Sequence, residues 1–218
     1  MTPGPLWAVV PVKDFVAAKM RLADILSDEN RSELARAMLR DVLTAVADCP
    51  AVAGTIVVTG DDTAAAMAAG FGATVVEDAS DAGYNSAVRA GISCVRERTA
   101  NVLVLPADIP LVRGEDIARL ASLHPTGPAV TVARAAADGG TNALLMSPPD
   151  AIAVQFGTNS EARHVAAACK AGAAVRSLIV PRMAYDIDRP EDVVRFLGGP
   201  SETHTYRLLR RMALGVIS

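Results

Sequence analysis

Asn101-Val102-Leu103-Val104-Leu105-Pro106-Ala107-Asp108-Ile109-Pro110-Leu111 is the stretch on which the fold turns. After Asn101 come four apolar residues without a break. An unbroken apolar run of this length marks a strand buried on both faces, whereas a sheet with one wet face would show alternation. Asp108 follows directly, held between two prolines that restrict the backbone. A carboxylate just beyond a buried strand suits Mg²⁺, which takes oxygen ligands, commonly one or two carboxylates plus phosphate oxygens. The alternative is that Asp108 caps the turn before the next helix.

Outward from this strand the pattern alternates. Leu6–Val10 reads as a first strand and Glu29–Asp48 as a helix with Leu34, Met38, Val42 and Val46 four apart. Thr55–Thr59 is a second strand, and Gly60-Asp61-Asp62-Thr63 a turn and helix cap. An Ala-rich helix to about Ala69 and a short strand Ala73–Glu77 follow, and Gly83-Tyr84-Asn85 opens a helix running to about Arg98. Beyond the central strand, Gly114–Ser122 reads as helix. Ala129–Ala133 and Ala143–Met146 read as strands joined by a turn at Gly139-Gly140. Ser160–Ala171 (helix), Val175–Val180 (strand), Pro190–Leu197 (helix) and a terminal helix within Ser201–Ser218 complete the chain. Early βα units followed by denser strand pairing predict one α/β domain, a doubly wound sheet with a modified second half.

Composition excludes several classes. The 218 residues carry a formal net charge of −3, which argues against general binding to nucleic acid or membrane surfaces. No apolar stretch approaches the roughly 20 residues of a membrane span. The first apolar run is short and meets Pro11 and Lys13, unlike a signal peptide, so a cytoplasmic protein is expected. Cys49, Cys94 and Cys169 lack metal-ligand spacing and read as buried free thiols. His124, His164 and His204 are scattered and read as incidental. The apolar tail Met212–Ile217 leaves room for a homodimer contact.

The chain has three lysines, and two lie together in Pro11-Val12-Lys13-Asp14-Phe15-Val16-Ala17-Ala18-Lys19-Met20-Arg21-Leu22. Lys13, Lys19 and Arg21 thus follow the first strand in a loop, and loops beyond strand carboxyl ends are where open α/β sheets bind ligands. Three cations there suggest an anion such as nucleotide phosphates; a solvated basic loop is the alternative. Asp186 and Asp188, two apart in an extended segment, point the same way and offer to complete a metal site with Asp108. Asp188 equally suits a cap for the helix at Pro190. In Phe156-Gly157-Thr158-Asn159-Ser160, Ser160 is a candidate N-cap, Gly157 permits close approach, and Arg163 adds charge to an anion site or merely joins an ordinary helix start. Gly139-Gly140-Thr141-Asn142 offers backbone donors or is a plain hairpin turn. Gly83-Tyr84-Asn85 suits a base or ribose, or a helix cap. Neither GxxxxGK[ST] nor GxGxxG occurs, which counts against P-loop and standard dinucleotide-binding sites.

In order, PVKxxxxAKxRL, GYNxA, LPADIPL, GGTNALL, FGxxS and DIDxPED resemble the guanylyltransferases of coenzyme F420 biosynthesis, typified by 2-phospho-L-lactate guanylyltransferase, from Leu6 to Leu197. LPADIPL and DIDxPED are shared with sugar and cofactor nucleotidyltransferases of the same fold; the lysine loop with GGTNALL and FGxxS narrows the match. The resemblance implies a Rossmann-like nucleotidyltransferase fold with a mixed sheet. It also implies GTP and a three-carbon phosphorylated acid (2-phospho-L-lactate, phosphoenolpyruvate or 3-phospho-D-glycerate) as substrates. Asp108 and Asp186 would hold Mg²⁺; Lys13, Lys19 and Arg21 would take the triphosphate; Asn85 and Pro106 would face the nucleoside. Thr141, Asn142, Gly157 and Ser160 would cradle the acid. A molybdenum-cofactor or sugar-phosphate nucleotidyltransferase is the rival enzyme, and a non-catalytic nucleotide-binding domain the rival of another class.

Overall fold

The computed structural model describes residues 4–78 and 82–215. Among these residues seven strands form one sheet in the order β3-β2-β1-β4-β6-β5-β7. They are β1 (Leu6–Pro11), β2 (Val52–Thr59), β3 (Thr74–Glu77), β4 (Asn101–Val104), β5 (Ala129–Arg134), β6 (Thr141–Ser147) and β7 (Ala174–Leu178). Every pairing is parallel except those of β6, which runs antiparallel to both β4 and β5. The expected doubly wound sheet with an altered second half is therefore a mixed sheet in which β5 and β6 form a hairpin. Gly139 turns that hairpin with a φ of 66°, a conformation costly for any residue with a Cβ.

Among the described residues seven α-helices flank the sheet: α1 (Asp28–Ala47), α2 (Asp62–Gly70), α3 (Tyr84–Val95), α4 (Gly114–Ser122), α5 (Ser160–Lys170), α6 (Pro190–Leu197) and α7 (His204–Gly215). Strand alternation sorts the core into two layers. Ala8, Val10, Val57, Leu103, Leu105 and Leu145 pack beneath α1, α2 and α4. Val9, Ile56, Val58, Val102, Val104 and Met146 pack against α3 and α5 on the other face. Both sets are apolar, which is why the central strands read as continuous runs. The helix α3 lies so close that a Cβ on Gly91 would stand 2.5 Å from Val9 Cγ1.

Expected and observed boundaries differ where side chains other than the pattern decide. The β2 strand starts three residues early, at Val52, and β7 ends at Leu178, although Val180 is still buried. The terminal helix begins at His204 because Asp41 of α1 accepts from the backbone N–H of His204 and Thr205, at 2.8 and 2.9 Å. That buried carboxylate ties α7 onto α1, where Leu208 and Leu209 join Leu34, Met38, Val193 and Phe196 in a third cluster. Of the apolar tail Met212–Ile217, Val216 and Ile217 lie outside the described residues. All three cysteines are free, but only Cys49 is buried; Cys94 and Cys169 are exposed on α3 and α5, correcting the expectation of three buried thiols.

Candidate active site

Strand order reverses at β1: the chain winds outward through β2 and β3, then returns to place β4 on the other side. A crevice therefore opens beyond the carboxyl ends of β1 and β4, the switch point at which such sheets bind ligands. The loops leaving these strands carry Lys13, Lys19 and Arg21 on one side and Pro106 and Asp108 on the other. A cavity of about 340 Å³ lies between them, walled by Val12, Lys13, Lys19, Arg21, Asp108 and Asp188 among others. A second, of about 240 Å³, is walled by Asp138, Gly140, Thr141, Asn142, Gly157 and Asp186. Tyr84, Pro106 and Asp108 belong to both walls.

The β1 loop is held by residues that the sequence reading did not single out for it. Asp61 caps α2 through one carboxylate oxygen and accepts the Phe15 N–H through the other, at 3.0 Å. From α1, the Ser32 hydroxyl donates to the Phe15 carbonyl and the buried Arg31 guanidinium reaches the carbonyls of Ala18 and Leu26. Phe15 and Leu22 are buried at either end of the turn. The chain enters left-handed conformation at Lys19, φ 54°, and continues into one turn of 3₁₀ helix, Met20–Leu22.

Lys19 ends up only 9% exposed, with its Nζ 2.6 Å from Asp108 Oδ2 and 3.7 Å from Asp188 Oδ1. Burial alone would lower the pKa of its ammonium, but Asp108, Asp188 and Asp186 outweigh burial and hold it above the ordinary lysine value. Arg21 is more exposed and pairs with Asp188. Lys13 is exposed in the wall of the first cavity and has no carboxylate partner among the described residues.

Asp188 is not the cap of α6. The carboxylate of Asp192 accepts the N–H groups of both Asp188 and Arg189, leaving Asp188 to the cations. Asp186 receives the Asn142 amide at 3.3 Å. Burial, and after it the charge of Asp108, raises the pKa of Asp186, and both carboxylates belong to the wall of the second cavity. The Ile187 N–H donates to the Asp108 carbonyl at 3.1 Å, clamping the two segments together. Two adjacent carboxylates form an oxygen donor set that fits a hard divalent cation. Among the described residues no group of three or more His, Cys, Asp or Glu could hold a metal. An ion bound there would draw its remaining ligands from substrate oxygens and water.

In the second cavity, side chains act where backbone donors were expected. Thr141 and Asn142 are the first residues of β6 and alternate in direction, Asn142 toward Asp186 and Thr141 toward α5. His164, read as incidental, is buried and buttresses this wall. Its Nε2 accepts the Gln155 N–H at 2.9 Å, so the ring proton resides on Nδ1 and is donated to Thr141 Oγ1 at 3.1 Å. Burial, and secondarily Arg163, pushes the His164 pKa down to about 4, consistent with that neutral tautomer. The Ser160 hydroxyl also donates to Thr141 Oγ1, at 3.0 Å. With both lone pairs occupied, the Thr141 hydroxyl keeps its own proton to donate.

Three expectations change here. Ser160 is fully buried inside the first turn of α5, whose N-cap is Asn159, so its hydroxyl supports Thr141 instead of capping the helix. Asn85 is not among the residues that wall these two cavities: its amide donates to the Phe156 carbonyl at 3.1 Å and accepts the Phe156 N–H at 2.7 Å. Arg163 clamps the carbonyls of Gln155 and Thr158. Gly157 does line the cavity, with a φ of 123° that side-chain-bearing residues avoid. Its neighbour Phe156 stands edge-on to Tyr84 and His164, with ring centroids 5.2 and 5.1 Å apart.

Among the described residues no helix is long and apolar enough to cross a membrane. The protein of Methanothermobacter described as a nucleotidyl transferase superposes with a TM-score of 0.67 over 95% of this chain and 99% of its own, at 16% identity, which shows the shared fold. The phosphoenolpyruvate guanylyltransferase of Conexibacter woesei is 39% identical over 189 residues, 86% of this chain and 85% of its own. The 3-phospho-D-glycerate guanylyltransferase of Phenylobacterium zucineum is 35% identical over 206 residues, 93% and 94% of the two chains. Residues 6–218 match the family described as "Guanylyl transferase CofC like". With a crevice at the switch point, cations on one wall, Asp108 and Asp186 together in the wall of the second cavity, and relatives of this identity along nearly its whole length, the chain belongs to the CofC-like guanylyl transferase family.

Proposed function

We propose that the protein transfers GMP from GTP to a three-carbon phosphorylated acid, releasing pyrophosphate, as a step in coenzyme F420 biosynthesis. The observation that carries this reading is the pair of cavities sharing Tyr84, Pro106 and Asp108. Two ligands seated in them would meet at one seam, beside the paired carboxylates. The names of the relatives supply guanine and the acid.

The acid's phosphate oxygen attacks the α-phosphorus of GTP; the new O–P bond forms as the bond to the β-phosphate oxygen breaks and pyrophosphate leaves. That nucleophile needs no general base, because a phosphate monoester has a second pKa of about 6 and is already dianionic near neutral pH. The chain's residues therefore position and neutralise. Lys13, Lys19 and Arg21 take the triphosphate, with Lys19 leaving Asp108 for phosphate oxygens. Thr141 donates its free hydroxyl proton to the acid, Gly157 lets it approach the backbone, and Asn142 orients Asp186. Mg²⁺ held by Asp108 and Asp186 would supply further charge neutralisation on the phosphoryl oxygens.

The test is incubation with GTP, Mg²⁺ and, separately, 2-phospho-L-lactate, phosphoenolpyruvate and 3-phospho-D-glycerate, with pyrophosphate measured. Release with one acid and GTP is expected. Preference for CTP or UTP would favour a sugar-phosphate or cofactor nucleotidyltransferase instead. GTP binding with no release for any acid would reduce the protein to a binding domain.

A further inference from the structure

The Tyr84 hydroxyl is the buried side-chain polar atom that has no hydrogen-bond partner among the described residues. Its position is not loose. Tyr84 begins α3, directly after Gly83 with a φ of 88°. The next residue, Asn85, locks the helix start to both backbone groups of Phe156. The ring packs edge-on against Phe156. A tyrosine held this firmly, with its hydroxyl out of water and unbonded, carries a desolvation cost that an isosteric phenylalanine would not. Buried unsatisfied groups of this kind concentrate where function requires them.

The same residue lies in the wall of both cavities, with Pro106 and Asp108. Pro106 has no N–H to give, and Asp108 as a carboxylate only accepts. At its ordinary pKa of about 10 the phenol is protonated at neutral pH, and burial, with Asp108 behind it, raises that pKa further. Of the three seam residues, Tyr84 is thus the one whose side chain donates. We infer that Tyr84 is a catalytic residue of the transfer, its hydroxyl donating a hydrogen bond to an oxygen of the phosphoryl group in transit as the seam opens around it. The inference deepens the proposed function and rests on it: a phosphoryl oxygen becomes the missing partner only if two phosphorylated ligands meet at this seam.

The experiment is Tyr84→Phe in the full chain, read three ways. We expect kcat for pyrophosphate release to fall about 10- to 100-fold, the cost of losing one hydrogen bond to a charged group. The Kd for GTP alone should stay within about twofold, since the bond belongs to the transfer. The melting temperature of the ligand-free protein should hold or rise, because the variant loses only an unsatisfied hydroxyl. A wild-type kcat in the variant overturns the inference while leaving the guanylyltransferase reading intact. A melting temperature lowered by several degrees also overturns it, by showing that the hydroxyl is bonded in the resting protein. Absence of pyrophosphate release by the wild-type protein with every acid overturns the functional reading first, and this inference with it.

Discussion

Lys19 Nζ and Asp108 Oδ2 stand 2.6 Å apart across 89 residues of sequence, joining the loop after β1 to the loop after β4. The pair lies where the two cavities adjoin, since Lys19 walls the first and Asp108 walls both. It also sets a conflict, because the proposed function asks Lys19 to bind phosphate and Asp108 to bind a cation. Exposed pairs contribute about 0.2–1 kcal/mol, while breaking a buried one costs roughly 3–5 kcal/mol. Lys19 is 9% and Asp108 28% exposed, so Lys19→Met should cost on the order of 2 kcal/mol in urea unfolding, between those limits. Asp108→Asn should cost less, since Lys19 keeps Asp188. The double variant should recover part of the Lys19→Met loss; strictly additive costs would show that the two do not interact. Activity should part company with stability: Asp108→Asn should lose about 10²-fold or more in turnover while remaining folded.

The architecture was legible because it rests on pattern. Val102–Leu105 and Leu6–Val10 are apolar on both faces, and Leu34, Met38, Val42 and Val46 recur at helical spacing, so strand and helix are written in single residues and their neighbours. The Gly139-Gly140 turn already suggested the antiparallel hairpin of β5 and β6, but the antiparallel pairing of β6 with β4 was not legible, since a strand buried on both sides carries no sign of its neighbour's direction. In the site, Asp108 and the lysine loop were visible because prolines and scarce lysines stand out. Asp188 was ambiguous for a local reason: Asp188 and Asp192 flank the same helix start, and only the fold shows that Asp192 takes the N–H groups. His164 was read as incidental, and Tyr84 was noticed only as part of Gly83-Tyr84-Asn85, for a different reason. Their roles depend on partners in other segments of the chain, Gln155 and Thr141 for His164 and Phe156 for Tyr84.

Asn85 offers a test of that distinction. Its side chain answers both backbone groups of Phe156 and lines neither cavity. Asn85→Ala would strand a partly buried N–H and C=O, at about 1–3 kcal/mol. Because Phe156 precedes Gly157, the KM for the acid should rise severalfold while that for GTP holds. A selective rise in the GTP KM would return Asn85 to the nucleoside.

His164 should make the fold acid-sensitive. Its pKa is lowered to about 4, from the 6.5 it has in the unfolded chain, and His124, half-buried, is lowered to about 4 by desolvation. As pH falls through 6.5 the unfolded chain takes up these protons before the folded one does, so stability is whole above about 6.5 and drains away toward pH 4. Urea midpoints should fall from pH 7.5 to 5, a range above most carboxylate titration. In His164→Gln, whose amide can still accept from Gln155 and donate to Thr141, that fall should be shallower. An unchanged slope would place the titration elsewhere.

Gly91 connects packing to chemistry. A Cβ there would meet Val9 Cγ1 at 2.5 Å and Val58 Cγ2 at 2.9 Å, in the layer between α3 and the centre of the sheet. Val9 and Val58 are fully buried and β-branched, with little rotamer freedom to give way. Gly91→Ala gains helix propensity of about 1 kcal/mol, but overpacking a filled core costs roughly 1–3 kcal/mol. The clash should win, giving net destabilisation in urea unfolding. Relief requires α3 to lift from β1, and its first turn carries Tyr84 into the seam between the cavities. Turnover should therefore fall by more than the folded fraction accounts for, with GTP affinity less affected. A stabilised variant would mean that the helix already has the room the contact distances deny it.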